Sequence, residues 1–194
     1  VPEQEVLSCE RRLSELCGDR LSFHIQVLSF RRFANTVFRT LGGLKYDYVT
    51  KGEKAVILWR ALASVAPFLK KYQGITLRDR SFLSETVACI DEFKAYRITP
   101  ADLEQAAGKL TEAQAGLSQK LFDLSLIFAA YQSAMQHEFD DPSDDLSLLL
   151  EKLPEAGFLA ETHVMVDSFY GFTGVEGEII AALFELAKSC TITL

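Results

Sequence analysis

Apolar positions recur at helical spacing over most of this chain, and three short runs are dense enough to read as strands. Over about 3–17, Val6, Leu7, Leu13 and Leu16 follow a helical period. Ile25-Gln26-Val27-Leu28-Ser29-Phe30 is short and mostly apolar, which predicts a buried strand. Phe33, Val37, Phe38 and Leu41 then mark a helix that Gly42-Gly43 stops. From 50 to about 153 the pattern predicts helices alone. Thr50 and Glu53 have capping-box spacing and open a helix through Val56, Trp59, Leu62 and Val65, which Pro67 disturbs. A further helix spans about 81–96, and Thr99-Pro100-Ala101-Asp102 caps the next. Leu117, Leu121, Leu124, Phe128, Tyr131 and Met135 alternate steps of four and three, the seam of a long core helix. Asp141-Pro142-Ser143-Asp144 starts one more.

Beyond Gly157 the strand signal returns. His163-Val164-Met165-Val166-Asp167 reads as a strand ending in a carboxylate, and Thr173 to Glu176 caps a helix through Ile179, Ala182, Leu183 and Leu186. Cys190 to Leu194 reads as a last strand. The two ends thus predict βα units sharing one parallel sheet, interrupted by an all-helical insertion. The expected boundaries are 1–45, 46–157 and 158–194.

Composition narrows this α/β reading. With 48% apolar residues, 5 Pro and 11 Gly, the chain is neither disordered nor fibrous. No apolar run is long enough to span a membrane. A net charge of -7 argues against nucleic-acid binding through bulk positive charge. That excess is local, because eight acids and one Lys lie between Glu138 and Glu161, whereas the pairs Arg11-Arg12 and Arg31-Arg32 lie in the first quarter. Cys9, Cys17, Cys89 and Cys190 form no C-x-x-C pair, so mostly buried reduced thiols in a cytoplasmic protein are expected, with no metal site. The chain starts at Val1 with no signal-peptide pattern and reads as a fragment of something longer.

Candidate chemistry is sparse. Val164-Met165-Val166-Asp167 could deliver a carboxylate to the end of a parallel strand, where α/β nucleotidases hold Mg²⁺. Asp in a strand-end turn is the plain alternative. No G-x-x-x-x-G-K-[ST] loop exists, since neither Gly108-Lys109-Leu110 nor Gly42-Gly43-Leu44-Lys45 fits. Ser168 follows Asp167 where an ATPase needs a carboxylate base, so hydrolysis there is not expected. Glu138, Asp140, Asp141, Asp144 and Asp145 lack the spacing of a calcium loop. His24, His137 and His163 adjoin no nucleophile motif, since no G-x-S-x-G occurs. Arg31-Arg32 follows the apolar run at a turn into a helix, where guanidinium and backbone N–H groups can hold phosphates; a solvated helix face is the other reading.

Several stretches together resemble the amino-terminal region of AddB (RexB), the second subunit of bacterial AddAB helicase–nucleases. They are Val1-Pro2-Glu3-Gln4, Gln26-Val27-Leu28-Ser29-Phe30-Arg31-Arg32-Phe33-Ala34, Asp91-Glu92-Phe93-Lys94, Ile98-Thr99-Pro100 and Lys120-Leu121-Phe122-Asp123-Leu124. Val166-Asp167-Ser168-Phe169-Tyr170-Gly171-Phe172-Thr173 is close to the family's D-G-F-x-G-F-T. The resemblance implies a partial RecA-like parallel sheet of the P-loop, superfamily-one helicase kind, interrupted by a helical 1B-like subdomain. It makes Asp167 a vestigial Walker B position and places Ser29, Phe30, Arg31 and Arg32 at DNA. It implies a module for break repair by homologous recombination that lacks hydrolysis of its own, beside an AddA-like partner, with single- and double-stranded DNA as ligands. ATP, Mg²⁺ and an iron–sulfur cluster belong by resemblance to the parent complex, with none expected in this fragment. Two rival readings remain open: a helical interaction scaffold on a small α/β platform, and a metal-dependent hydrolase built on the acid stretch.

Overall fold

The computed structural model describes residues 1–18, 24–43, 48–74, 79–136 and 140–193. Among the residues named above, Leu44, Lys45, His137, Glu138 and Leu194 lie outside the described residues. In chain order the elements are α1 (Val6–Cys17), α2 (Phe30–Leu41), α3 (Lys51–Val65), α4 (Arg80–Ala95), α5 (Pro100–Gly108), α6 (Ala115–Gln136), α7 (Asp145–Lys152), β1 (His163–Val166), α8 (Gly174–Leu186) and β2 (Ser189–Ile192), with short 3₁₀ turns between several of them. They form two compact units, Val1–Leu44 with Asp144–Leu194, and Lys45–Ser143.

The first unit is built on α2, α7 and α8. Ala34, Val37 and Phe38 of α2 share a core with Leu149 of α7 and with Val175, Ile179 and Leu183 of α8. β1 and β2 pair in parallel, with His163 opposite Ser189 and Val166 opposite Ile192. Helix α8 makes the crossover between them, starting from a capping box in which Thr173 and Glu176 satisfy each other's backbone N–H groups.

Here the RecA-like expectation is corrected. Among the described residues the sheet has two strands only. Residues 25–29 join no ladder among the described residues, and Phe30 is already the first residue of α2. The cause is local, because Ser29 accepts the Arg32 N–H and so acts as an N-cap, drawing the end of the apolar run into a helical turn. The chain is therefore predominantly helical, with a two-stranded parallel ribbon.

Among its described residues the second unit has helices and one isolated bridge, Tyr48 to Asp140, with no strand. Leu58 and Leu62 of α3, Ile90 of α4, Leu103 of α5, and Ile127, Phe128 and Tyr131 of α6 form its core. The expected seam of α6 holds at Leu124, Phe128, Tyr131 and Met135, which are buried, whereas Leu117 is exposed. Two lysines enter this interior. Lys54 Nζ lies 2.7 Å from Asp141 and 2.8 Å from Asp91, and Lys94 Nζ lies 2.8 Å from the other Asp141 oxygen. Ser143 completes the cluster, donating its hydroxyl to Asp91 at 2.8 Å.

The cysteines depart from expectation in one respect. All four are free, but none is fully buried, and Cys17 is exposed. Among the described residues no helix is long and apolar enough to cross a membrane.

Candidate functional site

The sequence-predicted residues converge in the first unit, at the carboxyl end of β1 and the start of α2. Phe30, the first residue of α2, packs against Phe169 and Phe172 of the loop after β1, with ring centroids 5.4 and 6.4 Å apart. Phe169 and Phe172 are themselves 5.0 Å apart, so the three rings form a closed cluster. This contact brings Asp167, the residue just after β1, to the same edge as Ser29 to Arg32.

Each predicted residue has a different status there. Ser29 is buried and fully engaged: its hydroxyl accepts from the Arg32 N–H at 3.3 Å and donates to Glu3. Phe30 is half-buried in the ring cluster. Arg32 is exposed, yet its Nε donates to Glu3 at 3.2 Å. Arg31 is exposed and makes no ion pair among the described residues. Of the four, it is the one cation ready to meet an external anion.

Asp167 is exposed, and Thr193, just past β2, donates its hydroxyl to it. That hydrogen bond, joined by the backbone and side chain of Ser168, holds the Asp167 carboxyl below the usual carboxylate range. Ser168 sits in the left-handed region with φ 67. Its hydroxyl cannot act as a carboxylate base, so the pair offers a cation a single carboxylate group. Among the described residues no group of three or more His, Cys, Asp or Glu side chains is arranged to hold a metal ion.

Three participants escaped the sequence reading. Glu3 occupies the start of α2 as an internal anion, its carboxyl held below the ordinary range first by the Ser29 hydroxyl and then by Arg32. Thr193 fixes Asp167. Tyr170, between the clustered rings, is fully solvent-exposed. Only Tyr170 left a signal in the sequence, as one of three aromatic residues within four positions after the strand.

Comparison with known proteins gives this edge a context. The family model described as "ADDB, N-terminal" matches residues 1–194. The chain is similar to the B subunit of the ATP-dependent helicase/deoxyribonuclease of Moorella thermoacetica, 34% identical over 196 residues. It is likewise similar to the same subunit of the enzymes from Acetivibrio thermocellus, at 31% over 193 residues, and Caldanaerobacter subterraneus subsp. tengcongensis, at 30% over 194. In each case all of this chain aligns, but it spans only 16–17% of the relative's length.

Proposed function

The chain belongs to the ADDB N-terminal family, and we propose that it is the amino-terminal piece of the B subunit of an ATP-dependent helicase–deoxyribonuclease that processes broken DNA ends for recombinational repair. Within that larger protein it contributes DNA contact and binding to an AddA-like partner, and it drives no hydrolysis of its own. The observation that carries this reading is the edge where exposed Arg31, with no ion pair among the described residues, follows Phe30, whose ring packs on Phe169 after the Asp167–Ser168 turn. A guanidinium at a helix start is suited to phosphate, and a strand-end Asp followed by Ser has no base to activate water. ATP, Mg²⁺ and the iron–sulfur cluster belong in this reading to the rest of the complex. A Mg²⁺–nucleotide would supply phosphoanhydride energy to that complex, and the part taken by Asp167 would be that of a strand-end carboxylate with no neighbouring base.

The test is a fluorescence titration of single-stranded DNA at low salt with the full heterodimer. Arg31→Ala combined with Arg32→Ala should weaken binding about tenfold, since each lost charge contact to phosphate reduces affinity and salt dependence. Asp167→Asn should leave DNA-stimulated ATP hydrolysis unchanged. Unaltered DNA affinity in the double variant refutes the DNA assignment, and lost hydrolysis in Asp167→Asn refutes the non-catalytic one.

A further inference from the structure

The second unit carries a buried carboxylate that the DNA-binding edge at α2 does not use. Asp123 of α6 is completely buried within an otherwise apolar run. Its two oxygens accept four backbone hydrogen bonds of 2.7–3.0 Å from three consecutive N–H groups, those of Lys70, Lys71 and Tyr72. Burying an ionised carboxylate is costly unless its lone pairs are met. Here the donors are the backbone of the turn after α3, so the consequence is a turn held in one conformation.

What that turn displays is specific. Leu69 points inward and is buried, while Phe68, 67% exposed, and Lys70 and Lys71 point outward. Lys70 Nζ stands 4.5 Å over the Phe122 ring, which orients its ammonium without neutralising it. Neither Lys70 nor Lys71 forms an ion pair among the described residues. Lys120 lies one turn before Asp123 on the same face of α6 and is also exposed. By contrast, the buried Lys54 and Lys94 of this unit are paired with carboxylates. The unit holds 12 Lys and Arg against 13 Asp and Glu, and so lacks the acidic excess of the chain as a whole.

Exposed cations with no ion pair among the described residues, on a backbone turn held by Asp123 and beside an exposed aromatic ring, match the chemistry of a single nucleic-acid strand, whose phosphates take the charges while a base stacks on the ring. We propose that the turn Phe68 to Tyr72, with Lys120, is a second single-stranded DNA contact, separate from the one at Arg31: Lys70, Lys71 and Lys120 meet phosphates and Phe68 meets a base. Asp123 is its positioning residue. This contact rests, like the one at α2, on the premise that the parent protein binds DNA, but it does not depend on the α2 site itself.

The experiment measures binding of a fluorescent oligothymidine to the full heterodimer across a salt series. Lys70→Gln with Lys71→Gln should weaken binding about tenfold and flatten the slope of log K against log salt by about 1.4, for two lost phosphate contacts. Lys70→Arg with Lys71→Arg should retain both affinity and slope. Phe68→Ala should weaken binding about tenfold with the slope unchanged, as for loss of one stacked base. Unchanged affinity and slope in the Gln variant overturn the proposal. So does loss of heterodimer assembly with DNA affinity intact, which would make the surface a dock for an acidic protein. If Arg31→Ala is silent while the Gln variant loses binding, the α2 site fails and this one stands; if both are silent, both fail.

Discussion

Glu3 and Arg32, twenty-nine residues apart, form an ion pair at the start of α2, with Arg32 Nε 3.2 Å from Glu3 Oε1 and the Ser29 hydroxyl donated to the same carboxylate. An acidic side chain thus stands where a phosphate is expected to bind, satisfying the cap hydroxyl and one guanidinium. Any DNA phosphate arriving at this edge has to compete with it.

Removing that competitor should help binding. Glu3→Ala in the full heterodimer is expected to raise single-stranded DNA affinity about threefold at low salt, the scale of one exposed ion pair. The gain should vanish in an Arg32→Ala background, because Arg32 is the group released. A titration showing equal or weaker binding for Glu3→Ala would mean that Glu3 organises the edge rather than blocking it.

The buried lysines of the helical unit lead to a stability prediction. Asp141 is 2% exposed and is the shared partner of Lys54 and Lys94. Asp141→Ala would remove the carboxylate that both ammonium groups share while Lys54 keeps Asp91, so a loss of about 3 kcal/mol is expected. Asp141→Asn keeps the volume and part of the hydrogen bonding and should cost less. Urea unfolding of this chain followed through Trp59, its one tryptophan, measures both variants.

The same cluster sets a pH window. Burial raises the Asp141 carboxyl, but the charge of Lys94 and the hydrogen bonds from Lys54, Lys94 and the Ser143 N–H outweigh it, so the net shift is downward. For Lys54, burial pulls down while hydrogen bonds and charge from Asp141 and Asp91 push up further, so the net shift is upward. A depressed carboxyl contributes stability above its unfolded pKa of about 3.9, lost as pH falls through the lower folded value. A raised ammonium contributes stability below its unfolded pKa of about 10.4, lost as pH rises through the higher folded value. The urea midpoint should therefore be flat from about pH 5 to pH 10 as far as this cluster is concerned, and Asp141→Asn should remove the acid limb it contributes.

What could be read from sequence was what depends on neighbours in the chain. Thr50 with Glu53, Thr99 with Asp102 and Thr173 with Glu176 all form the reciprocal caps their spacing implies. β1 and β2 also formed, because strand-like runs flank a well-capped helix that brings them side by side. The run 25–30 failed as a strand because a strand requires a partner, which composition cannot reveal, whereas the Ser29 cap acts within three residues. The ionic cluster joins Lys54 to Asp91 and Ser143, 37 and 89 residues away, so no local pattern could disclose it. A hint was present nonetheless: Lys54 and Asp123 both lie on apolar helix faces, where a charged residue needs a partner. At the candidate site the Arg31-Arg32 pair was visible, but that Arg32 is the one in direct contact with Glu3 depended on a residue distant in sequence.

Position 168 joins the sequence motif to backbone geometry. The family pattern D-G-F-x-G-F-T has Gly where this chain has Ser168, and Ser168 adopts φ 67. That region is open to Gly but costs a residue with a Cβ about 1 kcal/mol. The requirement comes from the turn itself, which must redirect the chain from Val166, paired in the ribbon, to Phe169, packed on Phe30. Glycine therefore fits this position for conformational reasons, independently of any role of the neighbouring Asp167. Ser168→Gly should stabilise the chain by about 0.5 kcal/mol, the relief of strain being partly offset by the greater freedom of Gly in the unfolded state. It also removes a hydroxyl that helps hold the Asp167 carboxyl down, so the Asp167 pKa followed by NMR should rise slightly in the variant. A Ser168→Ala control keeps the strain and loses the hydroxyl: its Asp167 pKa should shift like that of the Gly variant, without the gain in stability. Equal stability of the Gly and Ala variants would show that the turn does not require the left-handed conformation.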